Sequence, residues 1–441
     1  MLASLMHWGG PMRVLLISHT YPPDPEVGSL RGAKVAAALA AAGHDVEVVT
    51  NRLAGETQAI RAAGRRMTVH TVRSIPHPRR AYLRAKHWFG KNGSAPSARA
   101  EVTPQSPSAW KRYLLSLLWL PDEFLGFIPA ALWACWKIHG RAGVDLVYTT
   151  APPFSSHLAG LIFKAITGVP WAAEFRDPWT DNPAKPARLR TRFTDAVERW
   201  LERLCLRNAD HVVSVTDAIH ELLATKLPAR ARARFVVARN GIDRLMSSHR
   251  SADTRAPFRI VHAGSLYHGR DPRAFLRALA ALQRQGKFAD GEVQVELVGD
   301  ARWFDDVSIE RFVQDLGIAP LVQFRDWLSH DACLEIVQRA DLLLLFAQHQ
   351  PAQVPNKLFE YLGTRKPILA FADAHGEVAR MLRRVGGHYL VVEDEPAAAE
   401  AALARALSDA RTAGRETGDE AVLREWTTER QMGRLLKALQ A

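Results

Sequence analysis

Short, unbroken apolar runs, each followed by a helical stretch, constrain this chain more than any other feature. "RVLLIS" (Arg13–Ser18), "DVEVVT" (Asp45–Thr50), "DLVYTT" (Asp145–Thr150), "PWAAEF" (Pro170–Phe175) and "HVVSVT" (His211–Thr216) form one series. A second opens with "RIVHAGS" (Arg259–Ser265) and continues through "VQVELVG" (Val293–Gly299), "VQFRDW" (Val322–Trp327), "DLLLLF" (Asp341–Phe346) and "PILAF" (Pro367–Phe371). A strand that is apolar throughout must be covered on both faces, and strands that alternate with helices pair in parallel through right-handed crossovers. The expected fold class is therefore α/β, with two Rossmann-like doubly wound domains facing a central cleft. At 441 residues the chain is too long for one ordinary core. Residues 1–250 are expected to form the N-terminal domain, residues 251–420 the C-terminal domain, and residues 421–441 a helix packing back on the first. The polar stretch Ser247–Pro257 reads as the linker, and Asn92–Ser108 as a loop.

Composition narrows the class. With 47% hydrophobic and 24% charged residues, the chain has an ordinary globular balance. Its three cysteines, Cys135, Cys205 and Cys333, lie far apart without metal-ligand spacing, which fits small core residues in a reducing, cytoplasmic setting. The opening MLASLMHWGGPM has no basic leader, so no signal peptide is read, and Met12 is an alternative start. "YLLSLLWLPDEFLGFIPAALWACWKI" (Tyr113–Ile138) is split by Pro121-Asp122-Glu123 into pieces too short to span a membrane, leaving a buried or interfacial pair of helices.

The net charge of +12 is uneven: residues 1–250 hold 34 Lys and Arg against 19 Asp and Glu, and the rest hold 24 against 27. Such a basic half suggests a polyanionic partner or an anionic membrane surface. "PHPRRAYLRAKHWFGK" (Pro76–Lys91) interleaves Arg79, Arg80, Arg84, Lys86 and Lys91 with Tyr82, Trp88 and Phe89. That mixture suits peripheral contact with an inner membrane leaflet, or else a solvated helix face. No nucleic-acid module is visible, so nucleic acid is not expected as a partner.

Neither domain has a G-x-G-x-x-G or a Walker loop after its first strand, which argues against a dinucleotide oxidoreductase or an NTPase. Ligands of open α/β sheets bind at the carboxyl ends of the strands, so candidates are sought there. In the first domain, Val27-Gly28-Ser29 offers amides for a phosphate or sugar hydroxyl, or is a plain turn that needs Gly28. Asp177, with Arg176, follows the strand ending at Phe175 and either orients an acceptor hydroxyl or forms a structural ion pair. His157 lines the acceptor side or is a capping or buried histidine. In the second domain a helix starts near Pro355-Asn356, with Pro355 suited to its first turn and Asn356 to capping it. Free amides there, beside Lys357, form an anion site. Glu360, one turn on, accepts from two adjacent ribose hydroxyls or is a solvated first-turn carboxylate. Trp327 packs near a nucleobase or in the core. No convincing metal site or cofactor site appears; Glu393–Glu395 lies in a distant loop.

These motifs, in their order, resemble the GT-B-fold retaining glycosyltransferases of family four, in a subgroup of bacterial surface-polysaccharide enzymes. The resemblance rests on "YPPDPEVGS", "LPDEFLGF", "APPFSSH", "EFRDPW", "ADHVVSVT", "RNGID", "VHAGSLYHGRD" and "PNKLFEYLGTRKPIL", spread over nearly the whole chain. It implies a nucleotide-sugar donor held by the C-terminal domain and a glycan or lipid-diphosphate-linked acceptor held by the N-terminal one. Glu360 would bind the donor ribose, and Lys357 with the adjacent amides the diphosphate. Arg270 falls where the family places a lysine on the leaving phosphates, near Gly264 and Ser265. Ser265 replaces a frequent arginine, for which Lys357 would substitute. The family's first glutamate, eight residues before Glu360, is Ala352 here. Nucleotide-sugar 2-epimerases share the architecture, and a basic binding protein is a third reading.

Overall fold

The computed structural model describes residues 10–24, 27–53, 56, 60–64, 66–76, 120–182, 185, 190–228, 234–246, 257–267, 269–392, 396–412 and 417–440. The basic stretch after Pro76, the loop 92–108, the apolar residues 113–119, most of the linker stretch 247–257 and the acidic trio 393–395 lie outside them. The chain divides into two compact units, one of residues 1–215, 219–238 and 432–441, the other of residues 216–218 and 239–431.

In the first unit the apolar runs become β1 (Arg13–Ile17), β2 (Asp45–Asn51), β5 (Leu146–Ala151), β6 (Trp171–Phe175) and β7 (His211–Ser214). Two further strands, β3 (Ile60–Gly64) and β4 (Met67–Val72), extend one edge, and β8 (Phe235–Val237) closes the other. The sheet order is β3-β4-β2-β1-β5-β6-β7-β8, parallel except where β3 runs against β4. Val14, Leu15, Leu16 and Ile17 are fully buried, each worth about 1.5–3 kcal/mol relative to exposure. Helix α1 (Val27–Ala41) follows β1; α2 (Phe127–Ala142), α3 (Ser155–Thr167) and α4 (Arg192–Asn208) lead into β5, β6 and β7, and α5 (Asp217–Thr225) precedes β8. In the described part of the split apolar segment, α2 follows the Pro121 break.

The second unit has six parallel strands: β9 (Phe258–Ala263), β10 (Val293–Val298), β13 (Val322–Arg325), β14 (Leu342–Ala347), β15 (Ile368–Ala372) and β16 (Tyr389–Val391). Their order is β13-β10-β9-β14-β15-β16, while β11 (Trp303–Phe304) and β12 (Val307–Ser308) form a separate hairpin. Helices α6 (Arg273–Arg284), α7 (Ile309–Asp315), α8 (His330–Arg339), α9 (Asn356–Gly363), α10 (Glu377–Val385) and α11 (Pro396–Thr412) cover the two faces. The chain ends in α12 (Glu420–Glu425) and α13 (Thr428–Leu439). From Met432 the chain rejoins the first unit, where Met432, Leu435 and Leu436 share a core with Val35 and Leu39 of α1. Among the described residues no helix is long and apolar enough to cross a membrane.

Candidate active site

The densest chemistry lies in the second unit, at the carboxyl ends of the neighbouring strands β9 and β14. After Ala263 the chain turns at Gly264 with φ of +126°, a backbone conformation that L side chains rarely adopt. A Cβ built there would overlap the Lys357 ammonium, so the glycine is what lets that amine reach the strand end. The loop carrying Arg270 is pressed on the loop after β14. Gly269, at φ of +72°, leaves no room for a Cβ beside the Gln348 carbonyl, and Gln348 Nε2 donates to Asp271 O at 3.0 Å. Asp373 steadies the second loop by accepting the His349 and Gln350 amides at 3.1 and 2.8 Å.

Helix α9 explains why a carboxylate stands among apolar neighbours. Leu358, Phe359, Tyr361 and Leu362 are buried, while Glu360 is half-exposed at the side they leave open. The Tyr361 hydroxyl accepts the Ala263 amide at 2.9 Å, fastening α9 to β9. The expected cap is corrected: Asn356 is the first helical residue, and Pro355 occupies the cap position with extended backbone (φ −58°, ψ 135°). Proline fixes φ but leaves ψ free to stay extended, and it has no side-chain acceptor, so no side chain caps this end.

Burial pushes the Lys357 ammonium down to about 7, Arg270 repels it further, and Glu360 and Cys333 pull back. Burial also lowers Arg270, offset by Tyr267 and Tyr361; its guanidinium lies over the Tyr267 ring at 4.0 Å. Lys357 Nζ and Arg270 Nε are buried without hydrogen-bond partners. Among the described residues neither side chain makes an ion pair. His262 behind them is held neutral by burial and by Lys357, its Nδ1 2.9 Å from Leu344 O. Two cations without ion-pair partners among the described residues, beside an uncapped helix start, are an arrangement able to hold an anion with several oxygens. Ser265 is half-buried beside Gly264. Trp327 is 73% exposed on the loop after β13, two strands away from β9, which excludes the core alternative.

In the first unit the structure redistributes the expected roles. Arg176 donates to the carbonyls of Gly28 (2.7 Å) and Pro152, tying the loops after β1 and β5 together. Its guanidinium so crowds Gly28 that a Cβ would lie 2.6 Å from Nη1, which gives that glycine a packing reason. The acceptor-side placing of His157 is corrected, because the ring is fully buried. The Trp171 indole donates to Thr149 Oγ1 at 2.9 Å, and the same hydroxyl is hydrogen-bonded to His157 Nδ1 at 2.7 Å. Burial, then Arg176, pushes this imidazole down to about 3, so it stays neutral. Asp177 sits half-buried after β6 and is engaged in a contact.

Two residues of this unit escaped the sequence reading. Asp122 caps α3, accepting the Ser155 amide at 2.8 Å, and burial raises its pKa against those hydrogen bonds. Its signal was present as the Asp of "LPDEFLGF", but the helix it caps starts 33 residues later. Glu174, inside the strand "WAAEF", is fully buried and takes Arg31 at 2.7 Å. Among the described residues no group of three or more His, Cys, Asp or Glu could hold a metal ion.

Residues 31–241 match the Glycosyl transferase 4-like domain. An alpha-D-kanosaminyltransferase of Streptomyces kanamyceticus is 22% identical over 200 residues, 43% of this chain and 50% of that protein. The match thus spans half the length of that curated relative. A sucrose-phosphate synthase of Thermosynechococcus elongatus superposes with a TM-score of 0.64 at 18% identity, covering 97% of this chain and 99% of that one. The structure of Anabaena HepE in complex with UDP-glucose gives 0.60 at 13% identity, with 97% and 99% covered. The fold is the one these structures share: two parallel-sheet α/β units, the GT-B fold. More particularly, the first unit carries a glycosyl transferase 4-like domain.

Proposed function

We propose that this chain transfers a sugar from a nucleotide-sugar donor to a glycan or lipid-diphosphate-linked acceptor, with retention of configuration, in the synthesis of exopolysaccharide, capsule or O-antigen. The observation that carries the donor part is the pair of half-buried cations, Lys357 and Arg270, whose Nζ and Nε are buried without hydrogen-bond partners beside the uncapped start of α9. A diphosphate supplies the oxygens these groups lack, and its charge grows there as the bond to the sugar breaks. Complexes such as that of HepE with UDP-glucose support a donor of this kind. Glu360, one helical turn after Lys357, takes the ribose hydroxyls. Asp177 orients the acceptor hydroxyl from the first unit.

In this reading the bond between the anomeric carbon and the phosphate oxygen breaks while the acceptor oxygen bonds to that carbon on the same face. The acceptor's proton passes to the departing phosphate oxygen, so a nucleoside diphosphate leaves and no protein nucleophile is needed. Lys357 and Arg270 hold the developing charge without a bound metal. The chain works on the inner face of the cytoplasmic membrane, where a lipid-linked acceptor is met.

Glu360→Ala is expected to lower kcat/KM for the donor roughly tenfold or more, the loss of hydrogen bonds to a charged group worth about 1.5–3 kcal/mol. Unchanged kinetics in a folded variant would remove the ribose role. The Lys357 shift adds a pH dependence. A free amine with a pKa of about 7 must take up a proton on meeting the diphosphate at higher pH. Kd for an intact nucleotide-sugar such as UDP-glucose should therefore rise above about pH 7, by up to about tenfold per pH unit. Calorimetry in buffers of different ionisation enthalpy should report the proton uptake; a flat profile would count against the contact.

A further inference from the structure

Helices α2, α3 and α4 of the first unit turn a surface of one kind to solvent. Each leads to the next strand in the same direction across the sheet, so right-handed crossovers set them side by side on one face. His139 of α2 meets the Phe163 ring of α3 edge-on at 5.7 Å, and Lys164 of α3 reaches Asn208 O at the end of α4 at 2.7 Å. Large apolar side chains stand out from all three: Trp133 is 61% exposed, Trp136 48%, Ile166 58% and Trp200 60%.

The charges around them are mostly of one sign, with Asp195 of α4 and Asp210, paired with Lys164, the exceptions. Lys137 lies 4.8 Å above the Trp133 ring, and Arg199, Arg203 and Arg207 repeat every four residues along the outer face of α4. With Trp200 and Leu204 they line a groove of about 290 Å³. Among the described residues these three arginines make no ion pair. Helices α2 and α3 contain no acid at all. Of the three acids on α4, Asp195 in the first turn is half-buried, while Glu198 and Glu202 are buried, Glu198 against Lys185 and Glu202 against Lys226 (2.7 Å) and Thr180 (2.6 Å). On these helices Asp195 is the carboxylate that stands partly in solvent, against the exposed Arg199, Arg203 and Arg207 of the same helix.

A merely solvated face mixes both signs and keeps tryptophan scarce. We propose that the α2–α3–α4 face docks the chain on an anionic lipid bilayer. Tryptophans and isoleucines would sit at the headgroup level, and the arginines would meet lipid phosphates. A second copy of the chain would bring the same cations and be repelled. A nucleic acid would match the arginines but leave Ile162 and Ile166 without an apolar partner. The surface gives a place to the membrane contact of the reading above, on which it rests.

Flotation of the full chain with vesicles of phosphatidylcholine, with and without phosphatidylglycerol, tests this. Binding should need the anionic lipid and weaken with salt. The triple variant R199E/R203E/R207E should bind roughly a hundredfold more weakly. Trp133→Ser with Trp200→Ser should also lose binding, and both variants should keep the thermal shift given by UDP-glucose. Equal binding to neutral vesicles, an unaffected triple variant, or arginine-dependent binding of an RNA homopolymer in place of vesicles would overturn the proposal. Vesicle binding is read without sugar transfer. A chain that floats but transfers no sugar keeps the lipid surface and loses the transferase, and a chain that transfers to a soluble acceptor without floating loses the surface alone.

Discussion

Lys357→Met is expected to lower kcat/KM for the donor by roughly 100- to 1,000-fold, the effect of removing one preorganised charge from a developing oxyanion. The substitution keeps the length of the side chain and its packing in the turn at Gly264, so the loss isolates the charge. Stability should move the other way. A buried ammonium without an ion pair among the described residues costs free energy in the unliganded protein. The methionine variant should therefore melt at the same or a higher temperature than the wild type, while the thermal shift given by UDP-glucose shrinks or vanishes. A variant that loses activity and stability together would mark Lys357 as a structural residue. Lys357→Arg should not restore activity, because the close approach to Gly264 leaves no room for a guanidinium.

The frame of the fold was legible because strands covered on both faces carry unbroken apolar runs, as in "RVLLI" of β1 and "LLLLFA" of β14. The strands that were missed lack that signature. β3 is "IRAAG", the edge strand, and β4 beside it is "MTVHTV", where only Val69 and Thr71 are buried and β propensity decides little. β8 is three residues long, too short for any period. In the site, the Pro-Asn-Lys start of α9 pointed to an anion from helix chemistry alone. What could not be read was the solitude of Lys357 and Arg270, which depends on Gly264, Tyr267 and Tyr361 closing around them from distant parts of the chain. The same holds for His157 and Arg176. A histidine at a helix start and an arginine after a strand look alike in sequence whether they face a ligand or, as here, Thr149 and two carbonyls.

Arg31→Met is expected to destabilise the first unit by about 3–5 kcal/mol, the effect of stripping a buried charge of its partner. Arg31 Nε and Nη2 donate to Glu174 Oε1 at 2.9 and 2.7 Å, and Thr150 Oγ1 donates to Oε2 at 2.7 Å. Burial alone would raise the Glu174 carboxyl, but Arg31 outweighs it and holds the pKa below the usual value. A carboxylate with a depressed folded pKa contributes stability that is present above its unfolded value, near 4.5, and is lost as pH falls through the lower folded value. The wild type should lose that contribution in acid, and Arg31→Met, which has already lost it, should show a shallower acid limb in urea midpoints. The double variant R31M/E174L should recover most of the loss, since an apolar pair can replace a buried ion pair at little cost. Recovery of stability would not restore the site. Arg31 lies one turn past Gly28 on α1 and also donates to Ala238 O at 2.8 Å, so it helps fix the helix whose Gly28 carbonyl Arg176 grips. Transfer by the double variant should stay weaker through a higher acceptor KM, with the donor-induced thermal shift kept. Full activity in the double variant would show that the buried pair serves the fold alone.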